Sequence, residues 1–169
     1  MIKNSYLRVA IVYGFTCGVL VLAYFFTMYL TGNNPLIRMR TFETLIIGVC
    51  MLFAMGYYRD RINGGKLHFW QAITIGVATN LIGVLLATGV IFVYVQYFKP
   101  EIFTDYVQQL EKGIFQAKKA GNITEAVYQQ YKQRIAETSL QANIADIVKV
   151  DFFLFFIATG ILAAVMRRS

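Results

Sequence analysis

From Phe69 to Phe98 the chain runs thirty residues without a charged side chain. A helix of that length measures ~45 Å, more than the ~30 Å hydrocarbon core of a bilayer requires. Inside lipid every backbone polar group must be satisfied within the segment, so the run has to be helical. Its punctuation agrees. The basic loop Arg59 to His68, with the Gly64-Gly65 turn, precedes it. Phe69 and Trp70 suit one membrane interface; Tyr94, Tyr97 and Phe98 suit the other, and Pro100 follows.

Three further apolar runs share this character. The sequence therefore predicts spans over about 9–30, 42–58, 69–98 and 150–166. With 57% hydrophobic and 15% charged residues, the chain is well short of the ~25% charge of soluble domains. The N-terminus, with Lys3 and Arg8 before an apolar run, begins like a signal peptide. The run over 9–30 is longer than a signal core and has no small-residue cleavage site after it, so it reads as a retained span. The expected fold class is all-α: an integral membrane four-helix bundle in one domain, with an extramembrane helical hairpin over 100–149.

The net charge of +7 does not point to nucleic acid, because the basic residues stand at the ends of apolar runs. There they set orientation and meet anionic headgroups. Residues 1–8, 59–68 and 167–169 hold seven Lys/Arg in 21 residues, whereas 31–41 and 99–149 hold nine in 62. The denser set belongs inside, which places both termini in the cytoplasm.

The segment 99–149 is polar. Phe103, Val107, Leu110, Ile114 and Ala117 recur at three- and four-residue steps and draw one apolar stripe. Gly121 suits a helix C-cap, and Asn122 with Glu125 makes a capping pattern that opens a return helix. Its facing stripe would be Tyr128, Tyr131, Ile135, Thr138, Ala142 and Ala145. No Gly or Pro falls between Asn122 and Gly160, which leaves the return helix free to run unbroken into span 4. A rival layout lays the first helix flat in the headgroups through Tyr106 and Phe115.

Small residues at four-residue spacing let spans approach closely. Gly14 and Gly18, Gly76, Gly83 and Ala87, and Gly160 with Ala164 are expected to pack within the bundle. Asn80, near Thr79 and Thr88, is the main polar group deep in a span and reads as an interhelical hydrogen bond. Glu43 and Asp151 fall at the outer span edges, where boundary ion pairs are expected, Glu43 with Arg38 or Arg40. Cys17 and Cys50 should lie at similar depth, each as a small buried residue. His68, the lone histidine, supports no metal site, and no cofactor motif occurs.

The stretch YYRDRINGGKLHFWQAITIG, its spacing to YFKPEIF and the four-span layout resemble a bacterial inner-membrane family catalogued as domain of unknown function 4199. Arg59, Asp60, Gly64, Gly65, Phe69, Gly76 and Pro100 carry the likeness, which extends over essentially the whole chain. The resemblance implies the architecture and an inner-membrane location, and no activity. Three function classes follow from the residues. An accessory or structural protein would meet lipid on its spans and a protein partner, or another copy, through its outer segment. A small oligomeric transporter or channel subunit is the alternative. An intramembrane enzyme is the least supported, since no span carries a Ser/His or paired-Asp arrangement.

Overall fold

The structure, a computed structural model, describes residues 5–166, and among them all side chains except those of 38–41. It is all-α. Six helices follow in order: α1 Ser5–Leu30, α2 Pro35–Tyr57, α3 Phe69–Val93, α4 Glu101–Lys119, α5 Glu125–Ala136 and α6 Leu140–Met166. Single π-helical turns, Tyr58–Ile62 and Tyr94–Phe98, extend α2 and α3. Four of these helices are long and apolar enough to cross a membrane, over Ser5–Leu30, Phe42–Ile62, Phe69–Phe98 and Leu140–Met166.

Their outer surface is what lipid requires. Phe15, Leu45, Phe53, Phe153, Ile161 and Val165 are all more than half exposed. A soluble monomer does not leave so many large apolar side chains in contact with water.

The central pair is α2 and α3; α1 packs against one side of it and α6 against the other. On α3 the buried residues run Ala72, Ile75, Gly76, Thr79, Asn80, Gly83, Val84, Ala87, Thr88 and Ile91. That alternation of three- and one-residue steps gives a broad face, wide enough to receive neighbours from two directions. Gly14 faces Ile82 and Gly18 faces Leu86, so α1 and α3 run parallel. Tyr13 meets Tyr57 and Tyr24 meets Phe42, so α1 and α2 run antiparallel. At the end nearer the α1–α2 turn, Tyr94 stands edge-on to Phe25, Phe26 and Tyr29, tying α1 to the end of α3.

The helix that carries span 2 begins at Pro35, ahead of the apolar span itself at Phe42. Asn34 caps it, its Oδ1 accepting from the Leu36 amide at 3.0 Å, and Pro35 occupies the first helical position. Both are favoured there, because the first amides of a helix have no internal partner. Asn34 also donates from Nδ2 to the Ile102 carbonyl at 2.8 Å, which fastens the α1–α2 turn to the start of α4. The basic loop turns as expected, with Gly64 at φ +61° and Gly65 at φ +83°, a region other residues rarely enter.

The hairpin forms, and α4 pairs with α5. Gly121, at φ +76°, ends α4: its amide donates to the Lys118 carbonyl and that of Asn122 to the Ala117 carbonyl. That pair of bonds is a Schellman motif. Lys118 then reaches Glu125 at 2.6 Å and covers the Tyr128 ring at 4.3 Å. Lys118, and after it Gln129, hold the Glu125 carboxyl below its usual range.

Three expectations fail here. Thr124, not Asn122, caps α5, accepting from the Val127 amide at 3.4 Å. The return helix does not run unbroken into span 4: α5 ends at Ala136, and Ser139 caps a new helix by accepting from the Ala142 amide at 3.2 Å. Thr138 and Ser139 offer the backbone side-chain partners that compete with helix continuation, so no Gly or Pro is needed for the break. The break also resets the stripe. Ile135 is buried and Tyr128 and Thr138 half-buried, but Tyr131, Ala142 and Ala145 are exposed, and Ile144 and Val148 face the core instead.

Candidate functional site

Gly14 and Gly18 seat α1 directly on α3. A Cβ on Gly14 would stand 2.8 Å from Ile82 Cβ and 3.0 Å from the Thr79 carbonyl; one on Gly18 would stand 3.1 Å from the Gly83 carbonyl. Gly76 plays the same part between α3, α2 and α6, with Met55 and Thr159 each 2.6 Å from the site of its Cβ. A Cβ on Gly83 would stand 3.0 Å from Cys17 Sγ, and Ala87 is fully buried. The predicted pair Gly160 and Ala164 does not belong to this set. Nothing lies within 4 Å of a Cβ at Gly160, and Ala164 is exposed. The buried line of α6 runs through Asp151, Phe155, Thr159 and Ala163, one residue before each of that pair.

Within this interior six polar side chains among the described residues are buried: Glu43, Thr79, Asn80, Thr88, Asp151 and Thr159. Thr88 and Thr159 are satisfied on their own helices, donating to the Val84 and Phe155 carbonyls at 2.6 Å each. Asn80 is 2% exposed, and its Oδ1 has no hydrogen-bond partner among the described residues. The expected interhelical bond is therefore not made. Thr79 Oγ1 beside it is likewise without a partner. A buried amide in this condition is a cost, of about 1–3 kcal/mol for the orphaned group.

Glu43 and Asp151 are also buried between helices, at 2% and 6% exposure. Along its helix Glu43 keeps the expected edge position, second in the apolar span Phe42–Ile62, whereas Asp151 lies eleven residues into α6. Both take part in polar or electrostatic interactions. Arg38 and Arg40, the predicted partners of Glu43, lie outside the described side chains.

The two acids share a tier. Gly76 touches Met55 and Thr159 together, which puts those three residues level. Leu45, Val49 and Leu52 line one hollow with Ala158, Ile161 and Leu162, and Gly56 faces Met166, so α2 and α6 run parallel. Both oppose α3. Twelve residues along α3 lead to Thr88, twelve back along α2 to Glu43, and eight back along α6 to Asp151. At 1.5 Å per residue these steps are ~18, ~18 and ~12 Å, so the three side chains agree in depth to about one helical turn. Two carboxyls and a hydroxyl inside one tier of a lipid-embedded bundle can hold protons or anchor a cationic group.

Cys17 and Cys50 are both buried, and their thiols stand near enough to interact across α1 and α2. Their equal depth is thus as expected. Sequence reading had not placed them side by side, since helix rotation decides that. Molecular iodine, which takes two electrons from two thiols and releases two protons and two iodides, should close an intramolecular Cys17–Cys50 disulfide in membranes. Intact mass spectrometry checks this by a loss of two hydrogens that Cys17→Ser abolishes; persistence of both thiols under conditions that oxidise a lipid-embedded model dithiol would contradict the placement.

Thr159 was missed by sequence reading. Its signal was present, since it stands two four-residue steps after Asp151 on one face of α6. His68 stands at the N-cap of α3, where Gln71 Oε1 accepts from its amide at 3.3 Å.

Among known families, the one described as protein of unknown function (DUF4199) matches residues 12–168. None of the curated proteins and none of the solved structures matches the chain.

Proposed function

Since the chain belongs to the DUF4199 family, whose description carries no activity, we propose that it is an accessory protein of a bacterial inner membrane, with both termini cytoplasmic. On this reading it acts through contacts of its outer hairpin. The observation that carries the proposal is the hairpin's surface. A groove of about 310 Å³ on α4 and α5 has Ile114, Phe115 and Tyr128 among Glu111, Lys112 and Lys132. Phe115 is 55% exposed on it, and Tyr131 on α5 is 47% exposed. Aromatic anchors with a charged rim are the usual make-up of a protein-binding patch. The hairpin is also held in place, through the Asn34–Ile102 bond and the packing of Phe103 and Tyr106 on the core. A fixed platform loses less entropy on binding than a loose segment.

Affinity purification in mild detergent with mass spectrometry tests this. A constant protein partner should be recovered with the wild type and fall at least fivefold with Phe115→Ala combined with Tyr131→Ala. Both side chains are exposed, so the fold should survive the change. Recovery of the chain alone, as one defined oligomer, would instead favour a small transporter or channel subunit. The shared tier of Glu43, Thr88 and Asp151 supports that second reading.

A further inference from the structure

The largest cavity among those described lies neither in the bundle core nor on the hairpin. It is a groove of about 820 Å³ between the first half of α1 and the end of α2. Ser5 and Arg8 line its mouth, Val12, Tyr13 and Tyr57 its walls, and Thr16 its far end. The walls are held apart by a ring contact, Tyr13 against Tyr57 with centroids 5.9 Å apart at 48°. Two turns towards the chain's start, Tyr6 stands edge-on to Tyr58 at 6.3 Å.

Polarity changes along the groove in one direction. At the mouth is the Arg8 guanidinium, exposed, with no salt bridge among the described residues. The neighbouring loop cation Arg59 is already neutralised by Asp60 at 2.6 Å, whereas Arg61 forms no salt bridge among the described residues. The mouth therefore has uncompensated positive charge. From Arg8 to Thr16 is eight residues, ~12 Å of helix, and between those ends the groove is lined by Val9, Val12 and Tyr13, with Tyr57 and Ile62 from the end of α2. Thr16 adds no polar demand at the far end, because its hydroxyl already donates to the Val12 carbonyl at 2.9 Å. Val12, 57% exposed, opens the groove sideways to the surrounding lipid.

An occupant must then carry an anion at headgroup level and an apolar tail that runs inward along the helices. We propose that this groove binds one anionic glycerophospholipid, its phosphate at Arg8 and Ser5 and an acyl chain along Val12 and Tyr13. Basic sites between spans hold anionic headgroups by charge and a planar guanidinium fits phosphate with two parallel hydrogen bonds. A free phosphate would leave the apolar wall uncovered, and an uncharged lipid would leave Arg8 without its counterion. The inference is independent of any role for the hairpin and of which way the chain points.

Native mass spectrometry of the full chain, exchanged into detergent with equal phosphatidylglycerol and phosphatidylcholine, provides the test. Wild type should retain one phosphatidylglycerol at least fivefold in preference to phosphatidylcholine. Arg8→Gln should abolish that preference, and Arg8→Lys should restore part of it. Equal retention of the two lipids by wild type, or an undiminished preference in Arg8→Gln, overturns the proposal. Should Arg8→Gln fail to fold, Val12→Trp carries the test. Its indole fills the groove from an exposed position, and continued retention of one phosphatidylglycerol by that variant overturns the proposal equally.

Discussion

Gly14→Leu should unseat α1 from the bundle, while the same change at Gly160 should pass almost unnoticed. The two glycines look alike in sequence, each on a span and each four residues from a second small residue. Their surroundings differ. At Gly14 the first added carbon already stands 2.8 Å from Ile82 Cβ and 3.0 Å from a backbone carbonyl. Neither atom is the free end of a flexible side chain, so the helices themselves must separate. Three more carbons would then have to enter a seam that also holds Gly18, Cys17 and Gly83. Over-packing of this kind costs about 3 kcal/mol, at the upper end of what cores tolerate. At Gly160 the new side chain enters lipid space and should change stability by no more than ~0.5 kcal/mol. Reversible unfolding in mixed micelles gives both numbers. A Gly14→Leu protein as stable as wild type would remove the close α1–α3 contact from the structure.

How much of this was legible follows from what each signal encodes. Span number and position came from runs of uncharged residues, because bilayer thickness sets a length that the sequence states directly. The turn at Gly64-Gly65 and the stop at Gly121 were readable because a positive φ leaves few residues to choose from. The packing glycines of α1 and α3 were also readable. Gly160 and Ala164 were not, since spacing alone cannot say which side of a helix faces protein and which faces lipid. In water the polar face would have marked the outside of α6; in lipid both faces are apolar, and Ala163 and Ala164 look the same. The helix of span 2 begins at Pro35, ahead of its apolar run, because the cap at Asn34 and not hydropathy decides where a helix starts. The burial of Glu43 was not legible either, since hydropathy gives a residue's place along a span and not which neighbour it faces.

The interior position of Glu43 makes the second large effect. Glu43→Lys should lower the yield of folded protein several-fold, and Glu43→Gln should not. The side chain is 2% exposed, eight residues into α2, and its tier contains Asp151 and Thr88. A lysine there must bring an ammonium into the bundle or drag the outer part of α2 towards the headgroups. Insertion of a cation at a span's centre costs about 2.5–3.5 kcal/mol, and a position nearer the end reduces this without abolishing it. Glutamine has the same shape and no charge, so it separates what the fold needs from what an activity needs. If the chain works through its hairpin, Glu43→Gln and Asp151→Asn should both recover the partner at the wild-type level. If it moves a proton or a cation, the same two variants should fold normally and lose flux in reconstituted vesicles at least tenfold, because the carboxyls that would carry the charge are gone. Size-exclusion yield, partner recovery and flux on the same three proteins therefore report separately on placement, docking and transport. A Glu43→Lys protein obtained at wild-type yield would place residue 43 on the lipid or water side, and with it would go the tier on which the transport reading depends.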